Sequence, residues 1–109
     1  MAALTVQIIA QAGLGPTYAA CAAGGDTFAN DGRTFLHVKN TNAATRQVTV
    51  DADKLCSQGS DHNAVVTVPA TTGDRMIGPF PLDQFPSVCA ITYDAVTNLT
   101  IAAVQLPAR

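Results

Sequence analysis

Apolar and polar residues alternate with a period of two through much of this chain. In "RTFLHVKN" (33–40), Thr34, Leu36 and Val38 fall on one face and Phe35, His37 and Lys39 on the other. That spacing predicts a strand, because successive side chains of an extended chain point to opposite sides. "RQVTVD" (46–51) repeats it, with Val48 and Val50 opposite Gln47 and Thr49. The short polar "NTNAAT" between them reads as a hairpin turn. "AVVTVP" (64–69) is a further strand, closed by Pro69, which has no N–H for a ladder. "RMIGPF" (75–80) starts extended and must stop at Gly78 and Pro79. "CAITYDAV" (89–96) and "LTIAAVQL" (99–106) form a last hairpin about Thr97 and Asn98. In 99–106, Leu99, Ile101 and Ala103 face one way and Ala102, Val104 and Leu106 the other. A strand apolar on both faces is expected to be covered on both.

The N-terminal third is less regular. "LTVQII" (4–9) is a first strand, but "AQAGLGPTYAACAAGGDTFANDG" (10–32) loses the alternation. It allows one helical turn after Pro16, which Gly24 and Gly25 would stop. Structureless loops beyond about 12–15 residues are uncommon in compact domains and often functional, so this segment is read as an arm or contact loop. A second loop, 52–63, has room for a short turn of helix. The expectation is a single all-β domain over residues 1–109: an antiparallel β-sandwich or barrel of about seven to eight short strands with a long irregular N-terminal loop. Residues 1–32 hold the first strand and the arm.

Composition agrees with strands and dresses the surface unusually. The chain has 13 Thr, 10 Val and no Glu, whereas Glu and Lys are what usually coat exposed helices. Charged residues make up only 13% against a usual share of about 25%. Sparse charge fits a surface that meets other subunits, since interface cores are depleted in it. The formal net charge is −2 and the four arginines are scattered, so no basic patch points to nucleic acid. The opening "MAALTVQIIAQAG" lacks the basic start of a secretory signal, and no run of about 20 apolar residues predicts a membrane span.

Little in the sequence promises reaction chemistry. Cys21, Cys56 and Cys89 have no metal-type spacing and read as reduced, buried thiols, with a Cys56–Cys89 bridge as an unsupported option. His37 sits mid-strand and His62 in the loop "SDHN", next to Asp61; two adjacent residues make a poor ligand pair. Asp26 and Asp31 flank "TFAN" without calcium-loop spacing and are read as turn formers. Ser57, Ser60 and Ser87 lie in no nucleophile elbow. No catalytic residue, cofactor or metal ligand is nominated, and no enzyme is expected. "NLT" at Asn98 reads as a hairpin turn. With no Trp and 6% aromatic residues, a flat sugar-binding platform is disfavoured.

The segment "GDRMIGPFPLDQF" (73–85) is apolar yet cannot be regular, because Pro79 and Pro81 fix φ and remove two donors. Its phenylalanines must be placed by packing. Either they plug one end of the sandwich, or the stiff corner is pre-organised for a partner at low entropic cost.

"GDTFANDGRTFLHVKN", a "VTV" strand, "VVTVPATTGDRMIGPFP" and "ITYDAVTNLTIAAVQL" together resemble a family of small virion proteins of tailed bacteriophages, the head decoration, cement or minor capsid proteins. The resemblance runs from about Leu4 to Leu106, and "NDGRTFLHVKN" and "RMIGPF" are its most specific phrases. It implies a structural protein made in the bacterial host cytoplasm that binds the outer capsid surface, stabilises the head and has the major capsid protein as its partner. A homo-oligomer, trimer or dimer, would fit. Candidate interface residues are Leu14, Tyr18 and Phe28 from the N-terminal region and Arg75, Met76, Phe80, Leu82 and Phe85 from the stiff corner. Alternatives are a head–tail connector or tail structural protein, or a carbohydrate-binding adsorption module.

Overall fold

The computed structural model describes residues 2–52 and 63–107. All regular structure there is extended: β1 (Ala2–Ala3), β2 (Val6–Ile8), β3 (Ala19–Ala20), β4 (Asp26–Ala29), β5 (Thr34–Asn40), β6 (Arg46–Val50), β7 (Ala64–Val68), β8 (Gly73–Ile77), β9 (Val88–Tyr93) and β10 (Leu99–Gln105). Two sheets pack face to face as a β-sandwich. The first runs β1-β4-β9-β6-β7; the second runs β2-β10-β5-β8, with β3 sharing the β10 edge with β2. The short axis of 21 Å matches two sheets about 10 Å apart with their side chains.

The alternating segments fold as their period demands. β5 buries Thr34, Leu36, Val38 and Asn40 and leaves Phe35, His37 and Lys39 on its other face. Val48 and Val50 of β6 and Cys89 and Ile91 of β9 meet them from the first sheet. Each fully buried apolar side chain of this size contributes roughly 1.5–3 kcal/mol. β10, buried from Ile101 to Val104, is covered on both faces as expected.

Three features depart from the sequence reading. The expected helical turn after Pro16 is absent; Ala19–Ala20 pair with β10 instead, and Asp26–Ala29 pair with β9. Two- and four-residue strands are too short for alternation to reveal, so the described residues hold ten strands where about seven or eight were counted. The expected first strand, 4–9, is shorter, Val6–Ile8, and β1 precedes it. Leu4 N–H donates to the Thr27 carbonyl, and the chain there passes from the first sheet to the second. As a result β1 and β2 pair parallel, with β4 and β10 respectively, while every other pairing is antiparallel. Residues 53–62 of the second loop, with Cys56, Ser57, Ser60, Asp61 and His62, lie outside the described residues.

Glycine is required at two positions beside the proline-rich corner. At Gly73 a Cβ would lie 1.9 Å from the Pro69 carbonyl oxygen, inside the tight turn between β7 and β8. Gly78 has φ +125° and a Cβ there would crowd Phe35 and Phe80 at 3.1 Å, just before the cis Gly78–Pro79 bond. Buried Asn40 ties two turns together: its Nδ2 donates to the Ala44 and Pro69 carbonyls at 3.0 Å, and its Oδ1 accepts from Asn42 N–H.

Candidate interaction surfaces

The proline-rich corner answers to packing. Phe80 is 1% exposed and sits between Phe28 and Phe85, with ring centroids 5.4 and 5.0 Å away. Asn30 holds the irregular backbone where no ladder can: its Nδ2 donates to the Phe80 carbonyl at 2.9 Å and to Pro86 at 3.1 Å. Phe28, Phe80 and Phe85 are therefore corrected from surface candidates to core. Phe80 and Phe85 plug the end of the sandwich because the prolines around them deny their segment a place in a sheet, whereas Phe28 is an inward-facing position of β4, paired with Cys89 of β9. Truncating Phe80 to alanine is expected to cost about 3–5 kcal/mol, measurable by urea unfolding. Beside Asp31 and Gly32, Asn30 has the look of a turn residue in the sequence; its two long-range carbonyl partners left no local signal.

The other candidates remain outside the core. Met76 is 68% and Leu82 48% exposed. Arg75 is exposed and spends one guanidinium N–H on the Asp74 carbonyl. Leu14 and Met76 border one groove on the outer face of the second sheet, and Tyr18 bonds His37 of that groove's lining; Leu82 stays with the corner.

That outer face is covered by the chain itself. After β2, residues 9–18 fold back across β10 and β5 before β3 begins. Leu14 and Pro16 lie over Phe35, His37 and Val104, leaving a groove of about 210 Å³ that Met76 borders. Gln7 and Thr17 clasp each other, Nε2 to carbonyl and N–H to Oε1, both at 2.8 Å. The Tyr18 hydroxyl bonds His37 Nδ1 at 2.5 Å, His37 Nε2 meets Asp74, and Lys39 Nζ lies 4.4 Å from the Tyr18 ring centre. The irregular segment is thus a strap held by a Tyr18–His37–Asp74 chain and a cation over a ring. His37 and Lys39 share a face by period two, but their partners lie 19 and 37 residues from His37, beyond any sequence pattern.

The outer face of the first sheet is bare by comparison. Cross-strand neighbours there are Ala29 with Val88, Thr27 with Ala90, Thr49 with Thr92 and Val65, and Gln47 with Thr67. Among the described residues of those four strands, none of the outward positions is charged. Val65 and Val88 are 53% and 60% exposed.

The buried titratable groups among the described residues are set by burial and by their neighbours. Burial pushes the thiols of Cys21 and Cys89 up to about 12 and about 11, away from reactive thiolates. Burial, followed by the Asp26 carboxylate, raises Tyr93, so its hydroxyl stays a donor. Asp31 does act as the turn former expected: the Arg33 backbone N–H, then its guanidinium, hold the carboxyl low. Asp26 does so only in part: it accepts the Ala22 N–H at 3.2 Å, but it is buried between the sheets and also accepts the Tyr93 hydroxyl at 2.6 Å. Among the described residues no three His, Cys, Asp or Glu side chains group as metal ligands, and no helix is long and apolar enough to cross a membrane. No family model, curated protein or solved structure matches the chain.

Proposed function

We propose that this protein is a structural component of a phage virion: a decoration or cement protein that binds the outer surface of the capsid and stabilises the head. The observation that carries the proposal is the uncharged Thr/Val/Ala face of the first sheet. A solvated sheet face normally alternates apolar-in with polar and charged-out. Here the outward positions are neutral, most of them small or β-branched, and they share with an interface centre its depletion in charge. A preformed sheet face also loses little entropy on docking. The family resemblance over Leu4–Leu106 supports the same reading and supplies the partner, the major capsid protein. Many copies, each held weakly through such a face, would resist internal DNA pressure collectively through avidity.

The decisive experiment is a density map of the intact particle. The expected result is many copies on the outer capsid surface, each seated on β4, β9, β6 and β7. A single ring at the neck or along the tail would replace the proposal with a connector or tail role. Absence from purified particles would end it, and binding to isolated glycans would transfer the protein to host adsorption.

A further inference from the structure

The β10 edge of the second sheet changes partner at Ala102. Thr100 and Ile101 pair with β3, whereas Ala103 onward pairs with β2. At this break lies a cavity of about 440 Å³ that reaches inward to Asp26. The volume falls within the roughly 300–1,000 Å³ of small-molecule sites. It far exceeds the ~30 Å³ share of a single water.

The walls are small and apolar: Leu4, Ala19, Ala20, Ala102 and Ala103. The rim carries Gln7 and Thr17, whose amide groups are spent on each other. Asp26 is the single ionisable side chain in the lining. It is 1% exposed, and its two oxygens differ. Oδ2 accepts the Tyr93 O–H at 2.6 Å and the Ala22 N–H at 3.2 Å. Oδ1 accepts nothing from the described residues. A buried carboxylate oxygen needs a donor, and a buried charge needs an opposite one.

We propose that this cavity receives a cation on an aliphatic stem, an alkylguanidinium or alkylammonium group. Its head donates to Asp26 Oδ1 while its methylenes lie against Ala19, Ala102 and Leu4. Such groups are pure donors, their hydrogen bonds to carboxylate are the strong charge-assisted kind, and their stems bury along apolar walls. A hard divalent cation fits poorly, because it wants six or more oxygens for calcium, or near-octahedral geometry for magnesium, in place of alanine walls. The group could be supplied by a free amine or by a lysine or arginine side chain of a bound protein. The inference stands apart from the capsid reading, since the isolated chain suffices to test it.

The test is an amide-resolved NMR titration of the full chain with n-butylguanidinium, with a doubly capped arginine, and with neutral n-pentanol. Both guanidinium probes are expected to shift Ala19, Ala20 and Ala102 saturably, more weakly as salt rises, while pentanol does not. Tighter binding of capped arginine assigns the site to a protein side chain; tighter binding of butylguanidinium assigns it to a free amine. Asp26→Asn should weaken binding at least tenfold. Ala19→Leu, which keeps the carboxylate and its Tyr93 and Ala22 bonds, should do the same by filling the stem channel, and it decides the matter if Asp26→Asn does not fold. Unmoved amides, an equal response to pentanol, or undiminished binding to Ala19→Leu would overturn the proposal.

Discussion

The two outer faces of this sandwich are built from the same kind of strand and have opposite fates. Behind β10 and β5 the face carries Phe35, His37, Lys39 and Val104, and the chain roofs it with residues 9–18. Behind β9 and β6 the face carries Ala90, Thr92, Gln47 and Thr49, and no described part of the chain lies over it. The roofed face has charges and finds partners for them internally; the bare face has none to satisfy. An exposed neutral sheet face costs little as long as its side chains are small, so it can wait for a partner. A face bearing Phe35 and Val104 cannot, and the strap removes that apolar surface from water.

The contrast breaks most sharply at Thr92→Arg, in the middle of the bare face. If that face docks, an unpaired buried charge should cost several kcal/mol of binding, on the order of a hundredfold or more in capsid occupancy, with stability changed by no more than about 0.5 kcal/mol. Gel densitometry of purified particles and urea midpoints of the free protein measure the two halves. Unchanged occupancy would show that the bare face is simply solvent-facing. On the roofed face the signs reverse. Tyr18→Ala removes a hydrogen bond to His37, a ring contact and the seat of Lys39, and should cost about 2 kcal/mol of stability while leaving occupancy of the folded fraction intact.

The thiols beneath the faces sharpen the comparison from inside. In the unfolded chain a thiol ionises near pH 8.5, but Cys21 and Cys89 hold their protons to about 12 and about 11 in the fold. Folded pKa values lie above unfolded ones, so this contribution is complete below the unfolded value and is lost as pH rises through the folded ones. Urea midpoints should therefore fall between about pH 9 and pH 12, and Cys21→Ala should flatten the decline. The smallest effect is expected for Val65→Thr on the bare face: within about 0.5 kcal/mol in stability, with attachment retained. A large loss of stability there would mean that the face is packed after all.

Much of this could be read from residue order. Strands β5, β6, β7, β9 and β10 announce themselves through alternation, and Pro69 and Gly78–Pro79 mark where β7 and β8 end. Strands β1, β3 and β4 stayed hidden because they are two to four residues long and are set by pairing with distant edges. The interface candidates divide on the same principle. Met76 and Leu82 stay exposed, whereas Phe80 and Phe85 are drawn inward because a segment that cannot join a ladder still has to bury its rings, and Phe28 is buried as an inward position of β4. Asp26 was legible only in part: beside Gly25 it does bond the local turn, but only the pairing of β4 with β9, which brings Tyr93 to it, makes it a buried carboxylate.

By itself, then, the order of residues determined an all-β chain, the inward face of each long strand, the turns, and a surface poor in charge. These follow from the two-residue period and from the fixed geometry of proline and glycine, which act locally. Only the tertiary structure decided which outer face would be roofed, where the phenylalanines would go, and that one oxygen of Asp26 would stand unmet beside a cavity. Those outcomes depend on contacts between residues tens of positions apart, and no local pattern encodes which distant partner arrives.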